Sequence, residues 1–262
     1  MTSDLNVLHA DSLAGPMRAL KQAFEAKHAG ISIKLSSGVS RDLAQRILSG
    51  EACDVFAPSS PAVIEQDLMQ QKLAGSDRDA ADWYVVFSAN EMVVICAKGN
   101  PLGIRQVSDL ARPQTKFARV TGEQDLATGR TIEFLKRAAA AEGKPELAQK
   151  IIDSAPADPA QAYTVPDTVN AVKQGRAHAG VVYYSAAVAA RDDLAIIRFP
   201  GEVNMCEAIR NAATVPANAH DAKTAREFVG FLLSAEAQAI LKETGQPPVV
   251  PAIRKGAVPA LD

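Results

Sequence analysis

Short apolar strands alternate with amphipathic helices in the first sixty residues. Leu5–Ala10 has a strand pattern, and Ile31, Ile33 and Leu35 alternate with polar residues as in a strand. Between them, a stripe at Leu13, Met17, Leu20 and Phe24 has the period of a helix. The predicted order is strand 5–10, helix 13–24, strand 31–35, helix 43–50 and strand 54–57. Strands that alternate with helices in this way predict a parallel sheet with helices on its faces.

A second group of elements follows two apolar runs, Trp83–Phe87 and Met92–Ala97. The pattern predicts a chain that enters a second lobe near residue 88 and returns near residue 200. The further predicted elements are strand Lys116–Val120, helix Gly129–Ala141, a loop Asp153–Pro166, a helix that contains Val169 and Val172, strand Ala179–Tyr183 and helix Ala222–Thr244.

Composition and charge narrow the class of partner. Hydrophobic residues make up 47% of the 262 positions and aromatic residues only 5%, as in an ordinary α/β protein. The 28 basic and 30 acidic side chains give a net charge of −2 and are spread along the chain, so no nucleic-acid partner and no anionic membrane surface is expected. An anionic ligand would therefore have to be attracted by local dipoles and hydrogen-bond donors.

Targeting and metal-binding signals are absent from the pattern. No apolar run approaches the roughly 20 residues of a membrane span, and no basic start followed by an apolar run marks a signal peptide. Three cysteines in apolar runs, Cys53, Cys96 and Cys206, are expected to be buried and inert rather than paired. The four histidines have no ligand spacing, so no metal site and no cofactor is expected.

Catalytic motifs are also missing. The sequence has no phosphate-binding loop, no Gly-x-Ser-x-Gly elbow, no Ser-x-x-Lys and no His-Glu-x-x-His. Isolated carboxylates such as Asp54, Glu91 and Asp125 are not paired with a recognisable nucleophile or base, so the chain is not expected to be an enzyme. An enzyme built on this pattern would need Asp125 or Glu91 as its base.

Hydroxyl residues recur where a predicted strand gives way to a helix: Ser12, Ser40, Ser59 or Ser60, and Thr128. A helix N-terminus carries unpaired N–H groups and about half a positive charge, so several that converge would bind an anion. Serine and threonine are equally the preferred N-caps of ordinary helices. Anion binding is favoured over simple capping only if these hydroxyls face a common ligand.

Several segments, in the same order from residue 5 to about residue 250, resemble periplasmic molybdate/tungstate-binding proteins. They are Ala10–Leu13, Ser36–Ile47, Asp54–Ala57, Trp83–Val93 and Gly180–Ser185. The resemblance implies a class II periplasmic-binding-protein-like α/β fold, with two lobes joined by hinge strands and a ligand cleft between them. Lobe one would comprise 1–87 and 201–262, and lobe two 88–200.

The resemblance also implies a ligand set. Side-chain hydroxyls would come from Ser12, Ser40 and Tyr183, and backbone donors from near Thr128 and Val165. Neutral donors suit a tetrahedral dianion, because a site without acceptors disfavours a ligand that still carries a proton. In the octahedral variant of the family, an Asp and a Glu coordinate the metal atom of the oxyanion. Leu126 and Val182 occupy those positions here, so the oxyanion is expected to stay tetrahedral, with no direct metal ligands from the protein.

Charged residues next to these predicted ligand-binding residues leave more than one anion possible as the ligand. Asp11 and Arg41 either pair with each other at the rim, or Arg41 or Arg130 reaches the ligand, which would then be a different anion such as a carboxylate. Tyr183 could equally be a core residue whose hydroxyl is hydrogen-bonded.

The implied function is that of the substrate-binding component of an ABC uptake system. It would bind molybdate or tungstate, would be a periplasmic monomer whose signal peptide has been removed, and would have a membrane permease as its partner. A sulfate-like anion, a small organic acid and an intracellular anion-sensing domain remain alternatives.

Overall fold

Two compact units make up the chain. One comprises Met1–Ala89 and Ile209–Asp262, and the other comprises Asn90–Ala208. The computed structural model describes residues 3–122, 125–155 and 163–261. The described residues form two three-stranded sheets in the first unit and a four-stranded sheet in the second, and each unit has its own apolar core.

Strands and helices alternate through both units. Among the described residues the strands are β1 (Ser3–Ala10), β2 (Ile31–Gly38), β3 (Val55–Ala57), β4 (Trp83–Ala89), β5 (Met92–Ala97), β6 (Phe117–Arg119), β7 (Ala179–Tyr183), β8 (Leu194–Ile197), β9 (Arg210–Ala213) and β10 (Pro248–Gly256). The helices in the same residues are α1 (Ala14–Lys27), α2 (Ser40–Leu48), α3 (Pro61–Val63), α4 (Leu126–Ala141), α5 (Leu147–Ser154), α6 (Val165–Lys173), α7 (Tyr184–Ala189), α8 (Gly201–Asn204), α9 (Ala222–Leu232) and α10 (Ala235–Glu243).

The first unit contains the parallel sheet that the sequence predicts. Its strand order is β2-β1-β3, and β1 pairs in parallel with both neighbours. A bridge between Phe56 and Thr214 joins β3 to the segment after β9, and β9, β4 and β10 form an antiparallel sheet. Because β1 lies between β2 and β3, the chain changes direction across the sheet after β2.

The predicted helical stripe lies in the core of this unit. Leu13, Met17, Leu20 and Phe24 are all fully buried. Phe24 packs edge-on against Phe228 of α9, with ring centroids 5.1 Å apart. Burial of a side chain of this size contributes roughly 1.5–3 kcal/mol, so this face holds α1 on the sheet.

The second unit is a mixed sheet in the order β6-β7-β5-β8, in which β5 is antiparallel to β7 and β8 while β6 is parallel to β7. Helix α6 lies close against β7 because Gly180 has no side chain. A Cβ at this position would lie 2.9 Å from Cγ2 of Thr168. This close approach fixes the start of α6 relative to β7.

Some element boundaries differ from the prediction. The single helix predicted for Ala222–Thr244 is wrong, because the chain breaks at Ser234, whose hydroxyl accepts the N–H of Ala237 and starts α10. Helix α5 was not predicted, and part of the loop predicted for Asp153–Pro166, residues 156–162, lies outside the described residues. In the described part of the chain no helix is both long and apolar enough to span a bilayer.

Candidate functional site

The carboxyl ends of three parallel strands lie level at one edge of the first unit. Ala10 pairs with Gly38, and His9 pairs with both Ser37 and Ala57, so β1, β2 and β3 end together. In open α/β sheets, ligands bind outside the carboxyl ends of the strands where the strand order reverses. That position in this unit is the edge between β1 and β3.

Ser12 lies directly after β1, in a 3₁₀ turn formed by Asp11–Leu13. Its carbonyl oxygen accepts a hydrogen bond of 3.1 Å from Nε2 of Gln246, a residue that is fully buried. The Gln246 Oε1 in turn accepts from Nδ2 of Asn211, 2.6 Å away, and the same Nδ2 lies 2.9 Å from the Ser88 hydroxyl. This buried chain of polar groups fixes the backbone that carries Ser12.

Ser40 follows β2 and opens helix α2. The interpretation of Ser40 as an N-cap is wrong, because the N-cap of α2 is Val39 and Ser40 is itself the first helical residue. Its hydroxyl oxygen instead accepts the N–H of Ser59 at 3.2 Å and lies 3.4 Å from the Ser59 hydroxyl. Both serines are buried, so the ends of β2 and β3 present two adjacent hydroxyls.

Arg41 is held away from Asp11. Its guanidinium contacts the Asp67 carboxylate at 3.3 Å and the Gln66 side-chain oxygen at 3.1 Å. The expected rim pair of Asp11 with Arg41 is therefore wrong: the partner of Arg41 comes from the helical turn Ile64–Leu68, a contact that sequence spacing does not reveal. Arg41 is also exposed, so it is not part of the buried serine cluster.

In the second unit, Thr128 does not cap its helix. Helix α4 begins at Leu126, and its N-cap is Asp125, whose carboxylate accepts the N–H of Ala127 at 2.8 Å. The Thr128 hydroxyl donates to the Gly122 carbonyl at 2.6 Å, and the Thr128 N–H bonds the Asp125 carbonyl at 3.0 Å. Both bonds tie Thr128 to residues that precede α4.

Val165 is the first residue of α6. The preceding Thr164 and Asp167 form a capping box, in which the Asp167 N–H bonds the Thr164 hydroxyl at 3.2 Å and the Asp167 carboxylate accepts the Thr164 N–H at 3.0 Å. The hydrogen bonds to Thr164 lower the pKa of Asp167. N–H groups in a first helical turn have no partner within the helix, so the Val165 amide has the position required of a backbone donor.

Tyr183 ends β7 and is 3% exposed. Its hydroxyl oxygen lies 2.9 Å from Nη1 of Arg130, and the guanidinium carbon lies 5.8 Å from the ring centroid. Burial raises the pKa of Tyr183 and the neighbouring Arg130 charge opposes this, so the phenol keeps its proton at neutral pH. Tyr183 is thus a buried residue whose hydroxyl has a polar partner.

The two carboxylates that an enzyme would need already have structural partners. Asp125 is the N-cap described above. Glu91 is 2% exposed, and its carboxylate bonds Nε of Arg198 at 2.5 Å and Nδ2 of Asn204 at 2.7 Å. The hydrogen bond to Glu91 raises the pKa of Arg198, whose guanidinium also lies over the Tyr184 ring. Glu91 thus joins β5 to the segment after β8.

Other candidate sites lie apart from these residues. A cavity of about 520 Å³ in the first unit is lined by Lys72, Arg78, Trp83 and Arg226 among others, and one of about 370 Å³ in the second unit includes Lys116 and Tyr163. None of the sequence-predicted site residues lines either cavity. Within residues 3–122, 125–155 and 163–261, no group of three or more His, Cys, Asp or Glu side chains could hold a metal ion.

Both units have an α/β architecture, and hydrogen-bonding groups lie where their strands end and their helices begin. The sequence matches the family of bacterial extracellular solute-binding proteins over residues 5–246, and the chain belongs to that family. Membership groups it with solute-binding proteins rather than with enzymes.

Individual relatives are similar to this chain over most of its length. The chain is 27% identical over 243 residues to the molybdate-binding protein ModA of Mycobacterium tuberculosis strain H37Rv, across 91% of this chain and 82% of the relative. The periplasmic molybdate-binding protein of Azotobacter vinelandii has a similar structure, with a TM-score of 0.71 and 19% identity over 94% of this chain and 99% of that one.

The sulfate-binding protein SubI of M. tuberculosis H37Rv also has a similar structure, with a TM-score of 0.70 and 15% identity over 95% of this chain and 88% of that one. The predicted resemblance and the two-lobed periplasmic-binding-protein fold are confirmed.

Two contributors to the site architecture were not predicted as ligand-set residues. Ser59 was recognised only as a hydroxyl before a helix, although its position after β3 was a usable signal. Gln246 was not singled out, since a lone glutamine before Pro247 carries no pattern. Its role depends on a contact 234 residues away along the chain.

Proposed function

We propose that this protein is the substrate-binding component of an ABC uptake system for a tetrahedral oxyanion, with molybdate or tungstate as the ligand. The ligand accepts hydrogen bonds from the hydroxyls of Ser12 and Ser40 in the first unit. In the second unit it accepts them from the Tyr183 hydroxyl and from backbone amides near Thr128 and Val165. A membrane permease is the expected partner and the periplasm the expected location.

The observation that carries the proposal is the set of hydroxyls at the carboxyl ends of β1, β2 and β3. Ser12, Ser40 and Ser59 follow these level strand ends, and the last two are in contact. A hydroxyl can donate to a fully ionised oxyanion and simultaneously accept from a backbone N–H, as Ser40 does from Ser59. Hydrogen bonds to a charged partner are about twice as strong as neutral ones.

Charge supports an anion in the second unit as well. Arg130 places a guanidinium against the Tyr183 hydroxyl, while the chain as a whole is slightly negative. Molybdate, tungstate and sulfate are fully ionised near neutral pH, and phosphate retains a proton. A donor set of this kind therefore favours the first three over phosphate.

A small organic acid is a second candidate, and Arg130 is the observation that favours it. A guanidinium fork matches a carboxylate in two parallel hydrogen bonds, which a tetrahedral oxyanion does not require. Such a ligand would use Arg130 directly rather than through Tyr183.

Thermal unfolding in the presence of single anions tests both candidates. The purified chain is heated with molybdate, tungstate, sulfate, phosphate or one of several small carboxylic acids, each at matched ionic strength. A ligand at one hundred times its dissociation constant should stabilise the protein by about 2.7 kcal/mol. Stabilisation by molybdate and tungstate supports the proposal, and stabilisation by an organic acid alone refutes it.

A further inference from the structure

In the hydrogen bond between Arg130 and Tyr183, Arg130 must be the donor and Tyr183 the acceptor. A guanidinium has N–H donors and no acceptor, so at 2.9 Å the Arg130 Nη1–H donates and the Tyr183 oxygen accepts. The phenol has a single proton of its own. That proton is therefore turned away from Arg130 and is available to an acceptor elsewhere.

The surroundings keep that proton on the phenol. Tyr183 is 3% exposed, and burial raises the pKa of its hydroxyl. Arg130 lowers that pKa and the Asp125 carboxylate raises it, but burial is the largest influence. Near neutral pH Tyr183 is consequently a neutral donor whose oxygen is polarised by a cation, which strengthens any hydrogen bond that it gives.

We propose that Arg130 is a positioning residue for oxyanion binding: its guanidinium fixes the Tyr183 hydroxyl so that the phenolic proton points to the ligand. The inference rests on the proposed function. It also implies that Arg130 and Tyr183 together favour dianions over monoanions, because a polarised O–H next to a guanidinium stabilises a dianion more than a monoanion. Arg130 acts through Tyr183 and does not itself touch the ligand.

A double-mutant cycle separates action through Tyr183 from direct contact. Molybdate affinity is measured by calorimetry for the wild type, Arg130→Met, Tyr183→Phe and the double variant. We expect Arg130→Met to weaken binding about tenfold and Tyr183→Phe at least as much, as loss of a hydrogen bond to a charged group implies. In the Tyr183→Phe background, Arg130→Met should change affinity by less than about twofold.

Two further variants control the cycle. Arg137 lies on the same helix in an exposed pair with Glu133, and Arg137→Met should leave affinity unchanged. Arg130→Lys retains an N–H donor and should recover part of the lost affinity. Circular dichroism and the unliganded melting temperature establish that each variant is folded.

A full Arg130→Met effect in the Tyr183→Phe background would show direct contact and overturn the proposal, as would an unchanged affinity in Arg130→Met alone. Absorbance at 295 nm, with Tyr183→Phe as the reference, follows the Tyr183 titration without any ligand. Loss of Arg130 should raise the pKa of Tyr183 further. If the wild type binds none of the oxyanions but loss of Arg130 raises the Tyr183 pKa, the proposed function fails and the contact between Arg130 and Tyr183 is confirmed. If loss of Arg130 leaves the Tyr183 pKa unchanged, the inference itself fails.

Discussion

Replacement of Ser40 by alanine tests the hydroxyl cluster at the strand ends. The Ser40 hydroxyl is buried, accepts the Ser59 N–H at 3.2 Å and lies 3.4 Å from the Ser59 hydroxyl. In the proposed complex the same hydroxyl donates its proton to the oxyanion. Ser40→Ala therefore removes one donor to the ligand and one acceptor of a buried backbone N–H.

The two losses have separate magnitudes. A hydrogen bond to a charged partner contributes about 1.5–3 kcal/mol, so molybdate should bind roughly 10- to 150-fold more weakly. The Ser59 N–H is left without its acceptor in a buried position, which should lower the free energy of unfolding by about 1–3 kcal/mol in the absence of ligand. The affinity loss and the stability loss should appear together.

Titration calorimetry measures the affinity, and urea denaturation of the unliganded protein measures the stability. Ser49→Ala is the matched control, because Ser49 lies at the other end of α2 and its hydroxyl bonds the Gln45 carbonyl. The control should bind molybdate like the wild type. If Ser40→Ala loses stability but binds molybdate normally, the hydroxyl is structural and our reasoning about this edge is refuted.

Three further predictions concern the rest of the fold. Glu91→Ala should lower the free energy of unfolding by about 1–3 kcal/mol by removing the buried acceptor of Asn204, and a urea midpoint at the wild-type value would contradict this. Asp167→Asn should lower the free energy of unfolding by about 1 kcal/mol at pH 7, because it weakens the capping box of α6. Because the folded pKa of Asp167 is lowered, that difference should shrink as the pH falls below about 4, and a constant difference would rule out the charged cap. Burial raises the pKa of Cys96 to about 12, so a thiol reagent at pH 8 should modify the half-buried Cys206 first in the native protein, and equal rates would disprove the burial.

The periodic elements of the first unit were predictable because their signal is local. The stripe on α1 is buried as its helical period predicts, and the apolar positions Leu5, Val7 and Ile33 of β1 and β2 are buried as well. Helix α10 was missed as a separate helix because its start depends on the Ser234 hydroxyl, within an apolar stripe that continues across the break.

The partners of the site residues could not be predicted in the same way. Ser40 meets Ser59, Arg41 meets Asp67 and Tyr183 meets Arg130, across separations of 19, 26 and 53 residues. Composition and spacing carry no record of such contacts, because topology decides which strand ends become neighbours. The hydroxyls themselves were visible in the sequence, but not the groups that hold them.

A crystal structure with molybdate, located by the anomalous scattering of molybdenum, tests the central claim most directly. We predict one oxyanion with its oxygens within hydrogen-bonding distance of the Ser12, Ser40 and Tyr183 hydroxyls and of backbone amides near Thr128 and Val165. An ion bound elsewhere, or Ser40 and Tyr183 both turned away from it, would contradict the account.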